Sequence, residues 1–251
     1  MVGLENLAIS ATNKTKRAMQ VAQAIVSDIQ LDGREVGDRL PREEDMLARY
    51  EVARATLREA LRFLELQGIL HLQVGRSGGP VVSRPQTRDF ASSLALILQF
   101  MDTDLRALLE LREAIAPDMA ARAAERATHA DLAALSDCYA QLERDIEADS
   151  FEETNRRFHD LLGWASGNPT FGLLTSALHL LTRDLAIALG YSVQERANQL
   201  RCLMRVMNAV RVRDAENARR HMERLVKGSS AYLSRRSPAL VRQKIRWGDV
   251  F

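Results

Sequence analysis

The sequence predicts a mainly α-helical protein in two parts, and three observations predict it. Apolar residues make up 46% of the chain but aromatics only 5%, so the core must be built chiefly from Leu and Ala, which favour helices. Apolar residues recur at three- and four-residue spacing through almost every segment, as a helix with one buried stripe requires. A single pair of β-like runs, ILHLQV (69–74) and PVVSR (80–84), interrupts that pattern. At 251 residues the chain is long enough for two ordinary domains.

Residues 1–13 carry no clear period. KTKRAMQVAQAIVSDIQ (14–30) places Met19, Val21, Ala22, Ile25, Val26 and Ile29 on one face and predicts a helix. GREVGDRLP (33–41), with two glycines and a proline, ends it. PREEDMLARYE (41–51) predicts a second helix, with Pro41 at its first position and acidic residues in its first turn, where they suit the helix dipole. After a turn at 51–53, VARATLREALRFLELQGIL (52–70) predicts a third helix, striped by Leu57, Ala60, Leu61 and Leu64 and ending near Gly68. GRSGG (75–79) then turns the chain between the two strands. Three helices followed by a hairpin is the order of a winged helix-turn-helix domain, assigned to residues 1–84.

Pro85 and its polar neighbours make 85–90 a connector. Beyond it every segment reads as helix: 102–127 with Pro117 expected to kink it, 130–148 capped by Thr128 with Asp131 three residues on, and 150–166 opening on a capping-box pattern of Ser150 and Glu153. The GNP break (167–169) precedes a further helix, and two more run over 192–212 and 214–235. Residues 91–236 thus form an all-α antiparallel helical bundle, and the tail 237–251 shows no period.

The net charge of +2 does not by itself point to nucleic acid, so charge placement must decide. Cys138 and Cys202 form no CxxC pair and read as buried thiols in a reducing compartment. No apolar run is long enough to span a membrane and no signal-peptide core opens the chain, so the expected location is the cytoplasm, with no membrane partner.

The third helix carries more than an amphipathic helix needs. Arg54 and Arg58 are four apart and share a face, while Leu57 and Leu61 point inward. A planar guanidinium can bond O6 and N7 of guanine together, and Thr56 offers a hydroxyl to phosphate and a methyl to thymine. Between residues 54 and 76, Arg54, Arg58, Arg62 and Arg76 stand against Glu59 and Glu65. In a helix-turn-helix this is the helix that lies in the major groove of double-stranded DNA.

The run GDRLPREEDMLARYEVARATLREALRFLELQG closely resembles the DNA-binding domain of the GntR superfamily of bacterial transcription regulators, over about residues 15–84. The resemblance implies DNA contacts at Arg54, Thr56 and Arg58, and a wing tip at Gly75 and Arg76 that enters the minor groove. Ala53 and Ala55 stand where relatives often have Ser or Thr, and Glu44 where they commonly have an Arg that reaches DNA; Arg42 is the candidate substitute. The segments 110–135 and 155–169 resemble the FCD effector domain of the FadR-like branch. That implies a small-molecule cavity, often with a divalent metal held by an Asp or Asn, a His four residues later and two further His. Asn155 and His159 match the first pair, but the other two positions fall on Leu203 and Leu225. With two leucines there, no metal and no other cofactor is expected, His221 being one turn from Leu225. An apolar cavity would suit an acyl-CoA or other lipid-derived acid, and Arg112, in the ELR segment, is a candidate clamp for its carboxylate or phosphate. His129 and His179 read as surface or structural, and Trp164 as core packing.

The expected function is an effector-responsive repressor that binds a palindromic operator as a homodimer, since two-fold protein symmetry calls for a two-fold site. A metal-dependent enzyme in the helical domain, tethered by the N-terminal part, is the competing class. Against it stands the lack of any catalytic triad spacing or phosphate-cradling glycine loop, so no catalytic residues are assigned.

Overall fold

The computed structural model describes residues 2–73, 75, 78–183 and 190–250, with side chains from residue 15 onward, that of Asp249 apart. It divides into two compact units, Met1–Asp89 and Phe90–Phe251. No described helix is long and apolar enough to cross a membrane.

The first unit holds α1 (Val2–Leu31), α2 (Glu43–Tyr50), α3 (Arg54–Leu66), β1 (Leu70–Gln73) and β2 (Gly79–Val82). Helix α1 begins well before the predicted Lys14, since the preceding stretch holds no proline and its one glycine, Gly3, stands at the start. It buries Ala18, Val21, Ala22 and Ile25, spaced 3, 1 and 3 apart, against Met46 of α2 and the predicted stripe of α3. Helix α2 starts two residues later than expected: Arg42 is its N-cap and Pro41 precedes it. Tyr50 donates a hydrogen bond to Asp28 of α1 (2.6 Å), and Arg49 pairs with the same carboxylate at 2.8 Å, which pins α2 to α1. Glu51, left-handed at φ 50°, makes the turn into α3.

The strands pair antiparallel, Leu70 opposite Val82 and Gln73 opposite Gly79. A third short segment joins them: Arg39 bridges Val81, Gly37 N–H donates to Val82 O and Leu40 N–H to Pro80 O, both at 2.9 Å. Two residues are too few for an alternating pattern, so this segment read only as loop. The hairpin needs Gly78, where a Cβ would lie 2.3 Å from Gln73 O.

The second unit is all helix: α4 (Thr87–Phe100), α5 (Leu105–Arg126), α6 (His129–Arg144), α7 (Phe151–Ala165), α8 (Pro169–Leu181), α9 (Val193–Arg211), α10 (Ala215–Arg236) and α11 (Pro238–Val241), with a 3-10 turn at Trp247–Val250. Thr87 already begins α4, so half of the expected connector is helical. Helix α5 runs on through Pro117. Reciprocal capping boxes start α6 (Thr128 with Asp131) and α9 (Ser192 with Glu195), while Asn168 and Asp214 cap α8 and α10. The box expected at Ser150 does not form. Ser150 is helical in its backbone and its side chain bonds Asp145, which also takes the Thr154 hydroxyl at 2.7 Å.

Two apolar clusters hold this unit. One gathers the alanines of α5 with Leu135, Phe151, Phe158, Leu162, Leu203 and Met222. The other joins α4, α8 and the tail, whose Val241, Ile245 and Val250 are buried. The tail lacks a sequence period because it is held by tertiary contacts: Ile245 N–H donates to Thr103 O and Trp247 Nε1 to Ser92 Oγ. Helices α7 and α8 touch at two glycines. A Cβ on Gly163 would lie 3.2 Å from Gly172 Cα, and one on Gly172 would strike the Trp164 ring at 2.4 Å. Trp164 is therefore not core packing as expected; it is 48% exposed and lies flat over Gly172. Cys138 is buried as expected, but Cys202 is half-buried.

Candidate functional site

Each unit carries one group of side chains that its own packing does not use. In the first it is the outer face of α3. The inward stripe fixes the roll of that helix, so Arg54 and Arg58 must project outward, with side chains 65% and 67% exposed. Their Nε atoms lie 3.8 and 3.5 Å from one oxygen of Glu43 in the first turn of α2. Thr56 does not share that face. It is 8% exposed beside Leu57, so the thymine-facing role expected for its methyl has no free surface here. Arg42 is exposed at the start of α2, and Gly75 is exposed in the hairpin turn with φ 133°. Arg76 lies outside the described residues.

In the second unit, a partly open cavity lies between α5, α7, α8, α9 and α10. Helix α7 sends Glu152, Asn155, Arg156 and His159 into it, positions i, i+3, i+4 and i+7 of one face. Leu109 and Arg112 enter from α5, His179 from α8, Gln199 from α9, and Leu225, Ser229 and Leu233 from α10; Thr182 and Tyr191 complete the wall. Arg112, Asn155, His159 and Leu225 thus line one cavity. Leu203 does not join them: it is wholly buried in the core beside the cavity. His179, expected at the surface or in a structural role, is 7% exposed and lines the site. Its Nδ1 donates to Asp160 (2.7 Å), and its ring lies 5.8 Å from that of His159. His129 is exposed, as expected.

The cavity is polar and short of partners. Among the described residues no carboxylate pairs with Arg112; burial lowers its pKa and the Tyr191 hydroxyl weakly opposes that. Glu152 Oε1, Arg156 Nη1 and Gln199 Oε1, all on the wall, are shut from solvent without a hydrogen bond, as is Nε of Arg196, 3.7 Å from Glu152. Buried polar atoms are nearly always satisfied, so a cluster of orphans marks a place where another molecule supplies the bonds. Burial raises the Glu152 pKa, opposed by Arg196 and Arg156, and pushes Tyr191 up to about 12.

Both cavity histidines are held neutral. Burial, then Arg112 and His179, push His159 well below its ordinary value of 6.5; burial lowers His179, with Asp160 opposing. A histidine depressed in the folded state binds fewer protons there than when unfolded. Its stability contribution is complete above pH 6.5 and is lost as the pH falls through that value. Urea unfolding at successive pH values below 6.5 is expected to show a decline of up to about 1.4 kcal/mol per pH unit from His159. His159→Gln should flatten the curve by that share; an unchanged slope would refute the assignment.

The residues do not fit a resident metal. Asn155 and His159 face the cavity, but Leu203 and Leu225 have no donor atom, and His221 sits among Arg205, Arg220 and Arg224 rather than on the cavity wall. A dication would also stand against the Arg112 guanidinium.

A hairpin-backed helix with two outward arginines, joined to a helical unit with a polar cavity, has the layout of a DNA-binding regulator with a small-molecule domain. Comparison with known proteins agrees. Residues 17–78 match the family of bacterial regulatory proteins called gntR, and residues 107–228 match the FCD domain. The chain thus carries a gntR-family DNA-binding domain followed by an FCD domain. It is similar to the HTH-type transcriptional regulator YcbG of Bacillus subtilis, 26% identical over 88% of this chain and 91% of that one. It is also similar to the HTH-type transcriptional repressor NanR of Salmonella schwarzengrund, 27% identical over 78% and 76%. The fold matches a solved Streptococcus agalactiae GntR structure with a TM-score of 0.69 at 22% identity, covering 86% of this chain and 99% of that one. These relatives are transcriptional regulators, so the competing enzyme reading falls away.

Proposed function

We propose that this protein is a cytoplasmic repressor that binds a palindromic operator as a homodimer and is released by a small, polar organic acid. The observation that carries the ligand class is Arg112, a guanidinium with no carboxylate partner among the described residues, facing a cavity whose other orphans include both donors and acceptors. A carboxylate satisfies Arg112 and Arg156, and hydroxyl groups satisfy Glu152 and Gln199. A lipid-derived acid fits less well, because polar side chains outnumber the three leucines on the wall and Leu203 is not among them.

Dimerisation is supported by α4, which leaves Phe90, Ile97, Phe100 and Met101 exposed along one side, Phe100 at 85%. A helix face of that kind is costly to leave in water, and a second copy offers the same face to cover it. One recognition helix reads only a few base pairs, so two are needed for a useful operator. The ligand acts by favouring one arrangement of the dimer, to the extent that it binds the two arrangements unequally.

The test is selection from a randomised duplex library, followed by challenge of the complex with hydroxy and dicarboxylic acids and, separately, with acyl-CoA. A palindromic motif, released by a short acid and not by acyl-CoA, is expected. Release by acyl-CoA alone would overturn the ligand class, and enrichment of single half-sites by a monomer would overturn the dimer.

A further inference from the structure

Glu43 opens α2, and its carboxylate lies between the two outward arginines of α3. One oxygen, Oε1, faces Nε of Arg54 at 3.8 Å and Nε of Arg58 at 3.5 Å. That oxygen is shut from solvent and accepts no hydrogen bond, an arrangement that costs stability. The carboxylate therefore lies close to the Nε atoms of both side chains, and their terminal nitrogens make no hydrogen bond among the described residues.

We propose that Glu43 is a specificity-determining positioning residue: it aims Arg54 and Arg58 at base edges and weakens their hold on phosphate. The proposal rests on α3 being the helix that reads DNA. Phosphate is an anion present at every step of the duplex, and binding to it carries no sequence information. A carboxylate already beside both guanidiniums repels phosphate and removes part of the charge it would be drawn to. A guanine edge is neutral and presents O6 and N7 as acceptors. It can take the free terminal nitrogens while Glu43 keeps Nε. The same carboxylate thus penalises non-specific contacts more than specific ones, as discrimination between partners requires.

The experiment uses the full chain and a randomised duplex library. The wild type supplies a motif, and a scrambled duplex of equal composition serves as the non-cognate probe. Affinities for both are then measured across a salt series for wild type, Glu43→Gln and Glu43→Asp. For Glu43→Gln, binding to the scrambled duplex is expected to strengthen, with its log–log salt slope steeper by about one unit. The ratio of motif to scrambled affinity is expected to fall about tenfold, and Glu43→Asp should retain most of that ratio. A Glu43→Gln protein that keeps ratio and slope, or weakens on both duplexes in proportion as mere loss of helix stability would make it, overturns the proposal. If the wild type enriches no motif, the reading of α3 fails first and takes this inference with it.

Discussion

Arg112→Met is expected to abolish the response to the effector while leaving the ligand-free protein as stable as before or slightly more so. The wild-type guanidinium lines the cavity without a carboxylate partner among the described residues, and burial lowers its pKa, so the ligand-free site carries the cost of a poorly solvated charge. Methionine keeps much of the stem and removes that charge, which should raise ligand-free stability by up to about 1 kcal/mol. Truncating one partner of a charge-assisted contact costs roughly 2–5 kcal/mol, so affinity for the acid should fall at least about thirtyfold. Thermal unfolding with and without the acid that releases DNA separates the two effects. The ligand-induced rise in Tm should vanish in the variant, while the ligand-free Tm does not fall. A variant that unfolds earlier yet keeps its ligand shift would make Arg112 a structural residue and leave the cavity without its anchor.

The second large effect is expected at the other site. Arg54→Ala and Arg58→Ala should each cost roughly 1–3 kcal/mol of discrimination at one base step. The double substitution should leave binding that no longer distinguishes the selected motif from scrambled DNA. Because both side chains are about two-thirds exposed, unfolding should move by less than about 0.5 kcal/mol. Uniform weakening on every duplex, with discrimination intact, would show that the arginines hold phosphate and that the bases are read elsewhere.

The two sites were legible in the sequence to different depths. Arg54 and Arg58 could be placed because the apolar stripe at Leu57, Leu61 and Leu64 leaves them only one direction to point. Thr56 was misjudged by the same geometry, since it adjoins that stripe and turns inward with it. In the cavity, the pairing of Asn155 with His159 followed from their four-residue spacing, and the same face carries Glu152 and Arg156 one turn earlier. His179, Tyr191 and Gln199 gave no such signal. They come from segments that meet α7 only through packing, His179 by way of the close approach at Gly163 and Gly172.

Local chemistry carried most of the secondary structure. Thr128 with Asp131 and Ser192 with Glu195 cap their helices because each pair closes a bond within a single turn. Ser150 with Glu153 shows the limit of that logic: the same residue types sit at the same spacing, yet Asp145 takes the serine side chain. The tail follows a similar rule, its order coming from backbone bonds to Thr103 and burial beside α4.

The amino-acid order by itself determined where the helices run, which side of each is apolar and hence which arginines of α3 stand free, because periodicity and capping act within a few residues. Only the tertiary structure decided that Leu225 faces the cavity while Leu203 is sealed in the core, that His179 joins His159, and that Arg112 enters the same cavity. Those outcomes depend on how helices distant in sequence roll and approach one another, and that is governed by the shared packing of all their side chains.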